Sequence, residues 1–226
     1  MARITLKPTE NQNFILLGGD FAKQLDLAHN QEAEGAFEAA CNTRYKAFQQ
    51  IVEALPEDEA VELDFSHANT RTAMEIIYGS AVDNFLAGDV ELSAAQLELL
   101  LECDGEDHIE ATPQLALCYL ALEEWECLED ILPDLGDKGS FRPLVEALAE
   151  YVRTGVISAE KAASLRRHRP LCEVLCGGEI VADEAYLRDI ASERPSQKAL
   201  ATEIALRCEP LFSKYEGFLP ALKRVL

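Results

Sequence analysis

Apolar and polar positions along this chain follow two different periods, and the change of period divides it. Ala2–Lys7 alternates residue by residue, as a half-buried strand does, and Phe14-Ile15-Leu16-Leu17 is a short apolar run stopped by Gly18-Gly19. From Glu32 to Leu55 the spacing becomes three and four. Phe37, Ala40, Cys41, Arg44, Tyr45, Phe48, Ile51, Val52 and Leu55 follow the surface of one helix, which Pro56 ends. Val61–Phe65 alternates again, which predicts a short strand paired with the N-terminal runs.

From Asn69 onward the pattern is helix-turn-helix. Asn69 or Thr70 is placed to cap a helix that carries Met74, Ile77, Tyr78, Ala81, Val82, Phe85 and Leu86 and is broken by Gly88-Asp89. Leu92–Cys103 is a second helix, and Thr112-Pro113 opens a third with Leu115, Leu117, Cys118, Tyr119, Leu120 and Leu122. Trp125–Leu132 is a short fourth, stopped at Pro133, and Gly136–Ser140 is the clearest break. Phe141–Thr154, Ser158–Arg167, Leu171–Cys176, Asp183–Ala191 and a long last helix over Pro195–Phe212 follow. Short helices joined by short turns imply antiparallel helical hairpins.

Composition places the 226 residues among ordinary globular proteins, with 48% apolar and 27% charged residues. Charge changes the picture more. The chain has 41 acids against 20 bases, a formal −21. Residues 1–71 carry 12 acids and 6 bases, residues 138–226 carry 12 acids and 14 bases, and residues 72–137 carry 17 acids with no Lys or Arg. A basic stripe for phosphates is missing from the centre, which argues against nucleic acid as a partner. No apolar run reaches the ~18–20 residues of a membrane span, so a membrane partner is not expected either. Seven scattered cysteines, an odd number, do not form a disulfide pattern and point to a reducing, cytoplasmic setting with most of them buried.

The hairpins recur in register. With Gly88-Asp89 at the turn within one unit, Ile77 takes the large apolar position of its first helix and Ala81 the small position where helices touch, while Leu97 and Leu100 take core positions of its second helix. Thirty-five residues on, Leu115-Ala116, Tyr119 and Leu122-Glu123-Glu124-Trp125 repeat the arrangement, with Leu128 and Leu132 following. A third unit from Phe141 to Arg169 keeps Tyr151 and Gly155. In this the chain resembles a degenerate tetratricopeptide-repeat protein of bacterial type. The resemblance implies stacked hairpins over 69–226 and a scaffold that holds a partner segment on the face of its first helices.

At the positions of that face stand Tyr78, Val82 and Phe85, then Pro113, Gln114, Leu117 and Leu120. None is a cation, so the family's carboxylate-gripping mode is not expected. An apolar groove around Tyr78, Val82, Phe85, Gln114 and Leu117 is one reading, and a face filled by the chain's own ends is the other. The acidic block would steer a basic partner, keep the surface solvated, or face the chain's own basic cluster of Arg166, Arg167, His168 and Arg169.

Catalytic and metal chemistry has thin support. Gly18-Gly19-Asp20 lacks the spaced glycines and Lys-Ser/Thr of a phosphate loop. Asp64, Ser66 and His67 hold the residue types of a hydrolase relay, but neighbours on a strand end point apart. His168, Cys172 and Cys176 are spaced by four, with Pro170 breaking the helix between them and no fourth ligand in view. No catalytic, metal or cofactor residues are therefore assigned. The expected fold class is mainly α, with tetratricopeptide-like hairpins over 69–226 and a small mixed α/β cap over 1–68. The expected function is a protein- or peptide-binding scaffold. Its alternatives are a structural or homo-oligomeric role and, as the minority reading, a hydrolase-type enzyme.

Overall fold

The computed structural model describes residues 3–10, 13–56, 59, 61–136 and 139–226. Ala2 of the first predicted strand, and Asp137 and Lys138 of the predicted break, lie outside the described residues. β1 (Thr5–Pro8) and β2 (Phe14–Leu17) pair antiparallel, with Thr5 opposite Leu17 and Pro8 opposite Phe14. The strand expected at Val61–Phe65 is reduced to one parallel bridge between Leu63 and Phe14, because the Leu63 N–H turns to the Cys103 carbonyl instead of extending the ladder.

Thirteen α-helices follow among the described residues, making the chain 68% helical and the fold mainly α with a small N-terminal sheet. α1 (Phe21–Ala33) and α2 (Phe37–Val52) replace the single helix expected from Glu32. The inward positions of α1 are Phe21, Gln24, Leu25, Ala28, Gln31 and Glu32, and half of them are polar, so its stripe does not stand out. Gly35, with φ of 78°, turns the chain between the two helices.

α3 (Ala68–Ala87) and α4 (Val90–Cys103) form a hairpin whose turn is Gly88 at φ 89° and Asp89, which accepts from the Leu92 N–H to cap α4. His67, not Asn69 or Thr70, is the N-cap of α3. Those two side chains reach β2 instead. The Asn69 amide donates to the carbonyls of Leu16 and Gly18, and the Thr70 hydroxyl accepts from the Leu16 N–H. The sheet is thereby tied to the first turn of α3.

Next come α5 (Ala111–Leu122), α6 (Trp125–Ile131), a 3-10 turn over Leu132–Leu135, α7 (Phe141–Thr154), α8 (Ala159–Arg166), α9 (Arg169–Cys176) and α10 (Glu184–Ile190). The expected long last helix is two, α11 (Gln197–Arg207) and α12 (Glu209–Lys214), because Pro210 suits a first turn and starts a new helix. α13 (Phe218–Val225) ends the chain.

The chain divides into two compact units between Cys118 and Tyr119, within α5. In the first, Leu16, Phe21, Ile51, Met74, Ile77, Leu97 and Leu100 are buried. In the second, Phe218 meets Tyr151 edge-on at 5.7 Å and stacks on Phe212 at 5.7 Å, seating the C-terminal helices with Leu144, Leu148, Leu165 and Leu175.

Candidate partner-docking surface

α3 is held on two flanks, and what they leave accessible defines a surface. On one flank, Arg44 of α2 makes a two-pronged pair with Asp83, Nε to Oδ2 at 2.6 Å and Nη2 to Oδ1 at 2.9 Å, and reaches Glu32 of α1 at 2.6 Å. Only Gly79 permits this approach, since a Cβ there would lie 2.9 Å from the Arg44 Cδ. Burial works against the guanidinium charge, but the bonds to Asp83 and Glu32 outweigh it and raise the Arg44 pKa. On the other flank, Ser93 of α4 donates to the Ala81 carbonyl at 2.7 Å, while Gln96 donates to the Ser80 hydroxyl and accepts from Asn84.

Thr70, Ala73, Met74, Ile76, Ile77, Ser80, Ala81 and Phe85 are therefore interior. Arg71, Glu75, Tyr78, Val82 and Leu86, spaced by three or four, form the outward stripe. Tyr78 and Val82 are half-buried and Leu86 is 60% exposed. Arg71 at the far end lies over the Phe65 ring at 5.7 Å, and the His108 ring stacks on Phe65 at 4.5 Å.

No family model, curated protein or solved structure matches this chain. The site accordingly rests on its own geometry. Of the residues expected on the groove, Tyr78 and Val82 lie on the accessible stripe. Phe85, Gln114 and Leu117 are 2%, 2% and 0% exposed and belong to the interior. The reason is helical phase. Phe85 continues Met74, Ile77 and Ala81 at spacings of three and four, whereas Tyr78 and Val82 continue at Leu86. That spacing of four from Tyr78 is the signal that would have found Leu86.

The stripe is acidic at its edges. Glu75 lies on it, and Asp89 and Glu91 follow Leu86 at the hairpin turn. Asp83 is neutralised by Arg44 and Asp89 accepts from the Leu92 N–H, while Arg71 puts one cation at the far end of the stripe, a turn before Glu75. The acidic excess along the stripe is carried by Glu75, Asp89 and Glu91.

The residue types singled out for chemistry are otherwise engaged. The Ser66 hydroxyl donates to Asp64 at 2.6 Å, whereas the His67 ring meets the Thr70 hydroxyl at 3.1 Å, so the three do not line up as a relay. Pro170 opens α9 and does not interrupt it, which leaves Cys172 and Cys176 one turn apart with His168 at the N-cap. The Cys172 thiol donates to the Leu165 carbonyl. Among the described residues no three His, Cys, Asp or Glu side chains gather as metal ligands. A cleft of about 340 Å³ in the second unit is lined by Glu173, Val174, Ile180, Tyr186, Lys198 and Thr202. Three of its carboxylates are committed, Glu173 to Arg169, Asp183 to the Tyr186 N–H and Asp189 to Ser196.

One pair escaped the sequence. Asp104, at the end of α4 and 3% exposed, holds His108 Nδ1 at 2.6 Å, and its Oδ2 is buried with no partner among the described residues. The spacing of four between an acid and a histidine beside a Gly turn was its only trace.

Proposed function

We propose that this chain is a protein-interaction module that docks a basic, amphipathic partner segment along α3. The observation that carries the reading is the stripe Tyr78–Val82–Leu86, left accessible beside the buried face of α3 that holds Met74, Ile77, Ala81 and Phe85, and bordered by Glu75, Asp89 and Glu91. A helix with apolar residues at spacings of three and four would lay them along such a stripe, and its Lys or Arg would meet the flanking carboxylates. The tetratricopeptide resemblance adds support, since α3 stands at the first-helix position of its leading repeat. The pairing of Arg44 with Asp83 fixes the depth at which α3 sits and so holds the stripe in one geometry before any partner arrives.

A peptide library selected against the intact chain tests this. Lys/Arg-bearing segments with apolar anchors one turn apart are expected. Val82→Asp with Leu86→Asp should abolish their binding, with the far-ultraviolet circular dichroism unchanged. Selection of acidic sequences, or undiminished binding by the double variant, removes the proposal.

A further inference from the structure

The other surface with an unspent recognition capacity is the outer edge of β1. The Thr9 N–H donates to the Asn13 carbonyl at 2.8 Å, which makes that pair a hydrogen-bonded one in the antiparallel ladder. Alternation then gives bonded pairs at Lys7–Ile15 and Thr5–Leu17, and turns the backbone groups of Ile4, Leu6 and Pro8 away from β2. The same rule turns Phe14 and Leu16 outward on β2, and there every group is taken. Phe14 bonds to Glu62 and Asp64, and Leu16 bonds to Asn69 and Thr70. β1 has no such cover. Among the described residues nothing bonds the outward N–H and C=O of Ile4 and Leu6. Beside this edge lies a cleft of about 830 Å³, lined by Arg3, Ile4, Thr5 and Leu6 on one side and by Gln50, Glu53 and Ala54 at the end of α2 on the other.

We infer that this cleft takes an extended peptide from another protein as an added strand on β1, with apolar residues alternating with acidic ones. Main-chain bonds to Ile4 and Leu6 supply the register. Side chains supply the choice of occupant. Ile4 and Leu6 share the sheet face of buried Leu16, so alternate residues of the added strand meet an apolar surface there. Arg3, Thr5 and Lys7 are exposed on the opposite face, two cations in a strand that belongs to a chain of net −21. Cross-strand neighbours of opposite charge favour carboxylates at those positions. Glu53, on the helix side, rejects carboxylates on the apolar side and so fixes which set of residues faces inward.

A second copy of this chain is a poor occupant. The antiparallel register that uses both free residues on both copies pairs Ile4 with Leu6, and it sets Arg3 directly opposite Lys7 twice. A register centred on Leu6 meets Pro8, which has no N–H to offer. Both devices guard an edge strand against its own kind while leaving it open to an acidic strand.

A synthetic peptide of alternating glutamate and valine is the probe, with a lysine–valine peptide and a backbone N-methylated glutamate–valine peptide as controls. Amide exchange followed by NMR should show protection of Ile4 and Leu6 on adding the first peptide and none with the N-methylated one. Arg3→Glu with Lys7→Glu, both on exposed positions, should weaken the glutamate–valine peptide about tenfold and favour the lysine–valine peptide. Absence of binding, binding without protection of those two amides, or equal affinity in the charge-reversed variant each overturns the inference. So does protection of Ile4 and Leu6 that appears without peptide and grows with protein concentration, which would make the occupant a second copy. Val82→Asp with Leu86→Asp leaves this edge intact, so the two surfaces fail or succeed separately.

Discussion

At the residue scale Arg44 is held from several directions. Its side chain is 8% exposed and satisfied by two carboxylates, and Gly79 makes the room for it. Removing one partner of a buried pair leaves an uncompensated charge and costs more than replacing both by apolar groups. Arg44→Met alone, which leaves Asp83 without its cation at 15% exposure, should therefore cost about 3 kcal/mol in urea unfolding, whereas Arg44→Met with Asp83→Leu should stay within about 1 kcal/mol of the parent. A double variant less stable than the single one would show that the pair stabilises in its own right.

His108 provides the pH-dependent counterpart. The hydrogen bond to Asp104 raises its pKa above 6.5, with Glu106 and Asp107 adding to the shift against desolvation. A raised pKa means that the folded state holds the proton more tightly. The stabilisation is then complete below the unfolded value near 6.5 and is lost as pH climbs through the folded value. Thermal midpoints of the parent minus those of His108→Gln should fall across that window. A difference that is flat or rises with pH would mean that His108 does not carry the linkage.

At the scale of elements, legibility followed the amount of apolar surface per turn. β2 and α7 have the ends that periodicity and turn residues predict, Phe14–Leu17 and Phe141–Thr154. α1 was lost because Gln24, Gln31 and Glu32 occupy inward positions, and the C-terminal helices were merged or missed because Pro210 and Pro220 stand in first turns where proline starts a helix. Turns show the same contrast. Gly88 announces a left-handed cap, but Asp107, Glu110 and Glu123 adopt φ of 51°, 57° and 60° without any glycine to signal it. Gly88→Ala should cost about 1–2 kcal/mol, purely from backbone strain, because nothing lies within 4 Å of the added Cβ. Glu110→Gly should do the reverse and gain up to about 1 kcal/mol, as the strain it relieves exceeds the flexibility it adds to the unfolded chain. Chemical denaturation of both variants checks the pair, and equal signs would refute the backbone account. The docking stripe was half legible for a related reason. Tyr78 and Val82 come from the repeat register and Leu86 continues their spacing of four, whereas Phe85 falls in the phase of Met74, Ile77 and Ala81 that packs inward.

For the whole molecule, the −21 acts on folding and on binding with opposite signs, and that separates two effects the sequence alone confounds. Like charges confined to a compact chain repel, so screening should stabilise the fold. The local ion pairs, such as those of Arg142 and Lys161 with Glu146, Arg153 with Glu129, Arg169 with Glu173 and Arg207 with Glu203, would weaken with salt, but each is at least partly exposed and worth little against a net charge of −21. The thermal midpoint should rise between low and physiological ionic strength, by about 2–4 °C for each kcal/mol of repulsion relieved in a chain of this size. Docking of a basic segment on α3 should weaken over the same range, since Glu75, Asp89 and Glu91 attract it across solvent. Calorimetry and peptide titration on one salt series measure both slopes. A midpoint that falls with salt would mean that attraction between neighbouring charges outweighs the net repulsion. A peptide affinity that does not change would mean that the acidic border has no part in binding and that the block from 72 to 137 serves only to keep the surface hydrated.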